Sequence, residues 1–382
     1  MDSRNTQLST LLQHSPILLL PCELLREVFS LLASQGLFHL RHALLVCKRW
    51  HNVIVNDKKL WSTIIIDEEV VDRFKLHSKT PEISRASAYI RACLDRSAPL
   101  PLDITLSALE SKHGEHCCSV LDELLNSGEP RHIQRCRSLF WCIGYTLYDR
   151  PILSTLLPPS LERLEYLYLQ DFTFHRGPPI RFPQCPQLKE VRLVNHFEGV
   201  SPHYLVDRDH THVEKLTFTR DFMWIDHDIP CIQSFHAIRT LVLEVTPRSF
   251  SAYIFLEEVE NTSIAHLHCL ETLELLGPIP LGIMQRLHAP SLRRVEIAAS
   301  YSDPHSHALN TVPLVLLQPV TEMEIWICLL DDEIETLPHP QQLRRVICGA
   351  PSLTSIFGSL AIRELLAGEE WFRERNIVCH PP

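Results

Sequence analysis

Hydrophobic positions along this chain change their period twice, from helical steps near the N-terminus, through a mixed region, to short strand-like units that recur to near the C-terminus. From Pro21, a residue suited to the first turn of a helix because its missing N–H costs nothing there, Leu24, Val28 and Leu31 form one stripe and Leu25, Phe29 and Leu32 the next. Glu23, Arg26 and Glu27 take the other side, so the pattern predicts an amphipathic helix to about Ser34, with Gly36 as its stop. A second amphipathic stretch from Leu37 carries Leu40, Leu44 and Leu45 toward Val46-Cys47-Lys48-Arg49-Trp50. A third continues through Val53 and Ile54 to Asn56-Asp57. After Lys58-Lys59-Leu60-Trp61, the β-branched run Ser62-Thr63-Ile64-Ile65-Ile66 predicts a strand.

Helix and strand then alternate. Ile83, Ala86, Ile90 and Leu94 fall at three- and four-residue steps, predicting a helix capped at Thr80 and ending near Ser97. Residues 100–106 alternate apolar with polar or proline, the period of a strand with one buried face. Val120, Leu121, Leu124 and Leu125 predict another helix, stopped at Gly128, and residues 137–142 another strand.

The template L-x-x-L-x-L then recurs: Leu164-Leu167-Leu169, Leu188-Val191-Leu193, Val213-Leu216-Phe218, Ile238-Leu241-Leu243, Leu270-Leu273-Leu275, Leu292-Val295-Ile297, Val320-Met323-Ile325 and, more weakly, Leu343-Val346-Cys348. Starts lie 22 to 32 residues apart, near the period of leucine-rich repeats, whose strands bury their apolar face only by stacking on neighbours. The longest step contains residues 247–263, expected as an insertion or a convex-side helix. In each unit the two residues of the L-x-L pair point inward and the one between them outward, which places Tyr168, Arg192, Thr217, Val242, Glu274, Glu296 and Glu324 on one face, the face expected to touch a target. The asparagine of regular repeats is mostly missing, with Asn195 the nearest, so the array is expected to be irregular. Residues 359–375 predict a closing helix over the last rung. The alternative is that the same template marks ordinary strands of a βαβ domain. Either way the class is α/β with a parallel sheet, divided as residues 1–15 (flexible), 16–66 (helical module), 67–158 (transition and first rungs), 159–358 (array) and 359–382 (cap and tail).

The order LP-x-x-LL-x-x-VF, then LLVCKRW, then LW, over residues 20–61, resembles the F-box family at nearly every apolar position that defines it. An F-box followed by irregular leucine-rich strands resembles large families of fungal F-box proteins. The resemblance implies docking on the Skp adaptor and, through it, on a cullin, as the substrate-recognition subunit of a ubiquitin ligase. It puts the adaptor contacts among Leu20, Pro21, Leu24, Leu25, Val28, Phe29, Leu45, Val46, Cys47 and Trp50, some of which must be core. So small a module cannot bury all its aromatic and aliphatic side chains internally.

Composition narrows the rest. Apolar residues at 45% and charged residues at 21% are ordinary for a globular chain. A formal charge of −10 opposes phosphate backbones, so nucleic acid is not an expected partner. Thirteen cysteines without a C-x-x-C pair predict reduced thiols and a cytoplasmic or nuclear setting. Residues 1–12 do not read as a signal peptide, and residues 313–330 are too interrupted by polar groups to cross a membrane. No glycine-rich phosphate loop or nucleophile elbow occurs among 11 glycines, so no catalytic residue and no cofactor is expected. His210 with His212, His305 with His307, and Cys117-Cys118 are weak chemical signals, read first as solvated loop or packed helix. The sequon at Asn261 is of the kind expected by chance. The preferred expectation is a ligase substrate receptor with an unknown protein target. The alternative is a non-catalytic scaffold that binds partners without promoting ubiquitination, and an enzyme rests only on the histidine count.

Overall fold

The computed structural model describes residues 20–34, 36, 39–75, 82–107, 131–142, 160–170, 184–195, 212–220, 228–245, 264–277, 279, 281–300, 312–328 and 340–381. The chain forms two compact units that divide between Leu139 and Phe140.

The first unit opens with three helices, α1 (Cys22–Ser34), α2 (Leu40–Leu44) and α3 (Lys48–Asn56), followed by a 3-10 turn over Lys58–Trp61. Pro21 accepts the first helical bond from the Leu25 amide at 3.1 Å, and Gly36, at a φ of +123° that only glycine adopts without strain, ends the chain's helical run. Asp57 caps the turn by accepting from the Lys59 amide at 3.1 Å, and the Trp61 indole donates to the Ile54 carbonyl at 2.9 Å, which locks the turn to α3. Strand β1 (Thr63–Ile66) leads into α4 (Glu68–Arg73) and α5 (Ile83–Ser97), then β2 (Leu102–Leu106), α6 (Arg131–Gln134) and β3 (Cys136–Cys142). β1 and β2 are parallel, Thr63 opposite Asp103 and Ile66 opposite Leu106, and α4 and α5 make the crossover that parallel strands require. The expected cap Thr80 and the expected helix around residues 120–125 lie outside the described residues.

The second unit contains β4 (Tyr166–Gln170), β5 (Glu190–Asn195), β6 (Lys215–Arg220), α7 (Asp228–Gln233), β7 (Thr240–Val245), β8 (Ala265–His266), β9 (Thr272–Leu276), α8 (Leu281–Met284), β10 (Leu287–His288), β11 (Arg294–Ser300), α9 (Leu314–Leu317), β12 (Glu322–Cys328), α10 (Pro340–Gly349), β13 (Ser355–Gly358), α11 (Leu360–Gly368), α12 (Glu370–Arg373) and β14 (Val378–His380). A parallel sheet runs in the order β4-β5-β6-β7-β9-β11-β12-β13-β14, and β8 pairs with β10 in a separate two-stranded sheet. Residues 247–263 and Asn195's side chain are not among those described.

One local device repeats through this sheet. The first apolar residue of each unit closes a tight turn by donating to the carbonyl three residues back: Leu164 to Leu161, Leu188 to Cys185, Ile238 to Phe235, Leu270 to Leu267, Leu292 to Ala289, Val320 to Leu317 and Leu353 to Ala350. The following carbonyls then bind the next rung, as Glu165 accepts from both Lys189 and Glu190, Lys189 from Glu214 and Lys215, and so on to Thr321 with Thr354 and Ser355. The inward residues of every strand, from Leu167 and Leu169 to Met323 and Ile325, are buried. Stacking supplies what no single rung can bury alone.

Two expectations are corrected. Leu343, Val346 and Cys348 do not begin a rung, because they lie in α10, whose buried side takes Leu343 and Val346 at a helical step. The rung falls instead on Leu353-Ile356-Gly358, after Ala350-Pro351-Ser352, the same tetrapeptide with Leu353 that Ala289-Pro290-Ser291-Leu292 provides before β11. The closing helix over residues 359–375 is also revised: Glu369 separates two helices, α11 and α12, and the chain then adds β14, with Val378 opposite Ser355. The helices connect two strands and do not end the sheet.

Candidate functional site

The two apolar stripes of α1 have different fates. Leu25 and Phe29 are 1% and 0% exposed, Phe29 meeting Trp50 of α3 edge-to-face with centroids 5.3 Å apart. Leu24, Val28 and Leu31, at i, i+4 and i+7, remain 52%, 43% and 70% exposed. Leu45 and Val46, in the turn after α2, are 78% and 53% exposed. The module therefore presents five large aliphatic side chains to solvent while its aromatic pair holds the helices together.

This corrects the adaptor contacts. Leu25 and Phe29 are core, since their stripe faces α2 and α3 and leaves no surface for a partner. Trp50 is half-buried against Phe29, with a buried indole N–H that has no hydrogen-bond partner. Leu20 and Cys47 are half-buried and Pro21 is exposed. The Arg49 guanidinium donates to the Leu20 carbonyl and approaches the Cys22 sulfur at 3.6 Å, pinning the chain just ahead of α1 to α3. Leu31 belongs with the exposed stripe, and its spacing from Leu24 and Val28 was the signal for it.

On the sheet, strand register aligns all seven expected target residues in one row: Tyr168 opposite Arg192, Arg192 opposite Thr217, then Val242, Glu274, Glu296 and Glu324 in turn. The row continues into Phe357 and His380. At one end Phe140 stacks on Tyr168, with centroids 4.1 Å apart, and the Arg192 guanidinium lies 5.2 Å from the tyrosine ring centroid. Arg192 also pairs with Glu244 at 3.2 Å, which the Thr219 hydroxyl supports at 2.8 Å. At the other end Arg294 bonds Glu296 at 2.8 Å, reaches Glu322 at 3.8 Å, and bonds Glu324. Burial and the neighbouring Glu296 carboxylate push the Glu274 carboxyl above its ordinary range, against the opposing pull of Lys215 and Arg294.

Three members of the row are corrected. Thr217 and Val242 are buried, their short side chains enclosed by longer neighbours, and Glu324 is buried under Arg294. Tyr168, Arg192, Glu274 and Glu296 are half-buried and reachable.

His212 lines a shallow cavity of about 390 Å³ at the strand starts, with Glu214, Arg239, Cys269, Glu271 and Arg293. Acid and base alternate there and neutralise each other, Arg239 lying 3.7 Å from Glu271. His210, His305, His307, Cys117, Cys118 and the sequon at Asn261 lie outside the described residues. Among the described residues no three His, Cys, Asp or Glu side chains stand at metal-ligand geometry, and no helix is long and apolar enough to cross a membrane.

No curated protein matches the chain. Its N-terminal helices, however, are similar in sequence to a known domain: residues 17–67 match the F-box-like family, and the match covers α1, α2, α3 and β1.

Proposed function

We propose that the protein is the substrate-recognition subunit of a Skp–cullin–F-box ubiquitin ligase, its N-terminal helices docking on the adaptor and its sheet holding a protein target. The observation that carries this reading is the exposed Leu24, Val28 and Leu31 stripe beside a fully buried one, inside a segment that matches the F-box-like family. Exposed aliphatic stripes of this kind are covered by partners, and a few central anchors dominate such interfaces. The recurring turn, strand and backbone ladder support reading the second unit as a degenerate leucine-rich array. On that reading the half-buried Tyr168, Arg192, Glu274 and Glu296 contact the target, in a setting that is cytoplasmic or nuclear. The chemistry belongs to the enzyme the cullin recruits, and this chain supplies position alone, without a cofactor or metal in the reaction.

The test is reconstitution. The purified chain, mixed with adaptor and cullin, should elute as one complex and should direct ubiquitin onto a protein captured by the sheet. A complex that forms without any such transfer would leave a binding scaffold, and failure to form the complex at all would remove the ligase reading.

A further inference from the structure

Three imidazoles meet on the small β8–β10 sheet. His266 and His288 are register partners on adjacent parallel strands, and His268 lies two residues beyond His266, so alternation puts it on the same side. All three are exposed. Their ring centroids are 5.3 Å apart for His266 and His288, 6.0 Å for His266 and His268, and 6.3 Å for His268 and His288. Two imidazoles bound to one tetrahedral zinc, with a metal–nitrogen bond of about 2.1 Å, have centroids roughly 5.2 Å apart. The first pair already meets this distance, and the third ring needs to close by about an ångström.

The geometry points to a surface site for a divalent transition metal, of the zinc class, held by His266, His268 and His288 with water in the fourth position. As the side chains stand the nitrogens do not converge. Exposed histidines, however, change rotamer at little cost, because no packing holds them. The strands fix what must be fixed, namely the placement of three backbones on one side of one sheet. Neutral imidazole is a favoured ligand of this class of ion, and three of them leave the open coordination position typical of non-structural sites. A bound ion would clip the segment before β9 to the segment before β11 and so tie adjacent rungs. His266-Leu267-His268 is itself a His-x-His, and its third partner is supplied only by the fold.

Cobalt(II) tests this in the full-length chain, because its visible absorption reports tetrahedral geometry and separates nitrogen from thiolate ligands. The intact protein should bind one equivalent at micromolar cobalt with a tetrahedral, thiolate-free spectrum, and its melting temperature should rise with the metal. His288→Ala should weaken binding at least tenfold, and His266→Ala with His268→Ala should abolish the spectrum, while His212→Ala, outside the cluster, should change neither. Circular dichroism checks that the variants fold, as the three side chains' exposure leads one to expect. A thiolate spectrum, unaltered binding in the His266, His268 and His288 variants, or no binding by the intact chain would each overturn the site.

Discussion

The helical module and the parallel sheet treat their leucines in opposite ways. In the sheet every inward residue of the L-x-L pairs is covered by the rung beside it, whereas in the module Leu24, Val28, Leu31, Leu45 and Val46 stay in solvent. A stack of rungs completes its own core, because each added strand buries the face of the last. Three short helices have too little interior for that, and each aliphatic side chain left outside forgoes about 1.5–3 kcal/mol of burial until a partner arrives. The sheet is finished as it stands, and the module is finished by what it binds.

The comparison breaks most visibly at Phe29. Phe29→Ala should remove about 3–5 kcal/mol of stability, since the ring is fully buried against Trp50 and would leave a cavity; urea unfolding should show the midpoint fall. Leu241→Ala, at a fully buried inward position of β7, should cost about 2–5 kcal/mol by the same measurement, and an effect under 1 kcal/mol would mean the rung can collapse around the gap. Arg294→Ala should cost less, about 1–3 kcal/mol, by leaving the buried Glu324 carboxylate without its partner. The loss should be smaller in acid, where Glu324 and its neighbours take up protons.

The smallest expected effect is at Glu274. Its raised value means that the folded protein holds the proton more tightly than the unfolded chain, so this group favours folding below the unfolded value and loses that contribution as pH rises through the folded one. Glu274→Gln should therefore raise stability by a few tenths of a kcal/mol at neutral pH, and the gain should vanish below the ordinary carboxylate range. Melting curves across that range read the sign directly.

What was legible in the sequence follows from period. The two-residue step of L-x-L fixes which side of a strand faces inward, so the row from Tyr168 to Glu324 could be drawn before any strand was placed. Exposure within that row could not be read, because it depends on the size of cross-strand neighbours and on pairs such as Arg294 with Glu324. The two stripes of α1 are equally apolar, and only packing against α2 and α3 decides which is core. The weak eighth repeat was misplaced because Leu343, Val346 and Cys348 fit both a strand template and a helical face, while the turn Ala350-Pro351-Ser352-Leu353 marked the true rung. The strand after residue 376 and the meeting of His268 with His288 are long-range results that no local pattern carries.

The most direct test of the account puts Leu24→Asp with Val28→Asp beside Phe29→Ala, measuring adaptor affinity and melting temperature on each protein. The surface pair should keep the melting temperature of the unaltered chain and lose adaptor binding at least a hundredfold, whereas Phe29→Ala should melt early. Undiminished binding by a folded Leu24→Asp, Val28→Asp protein would contradict the claim that this stripe is the docking face.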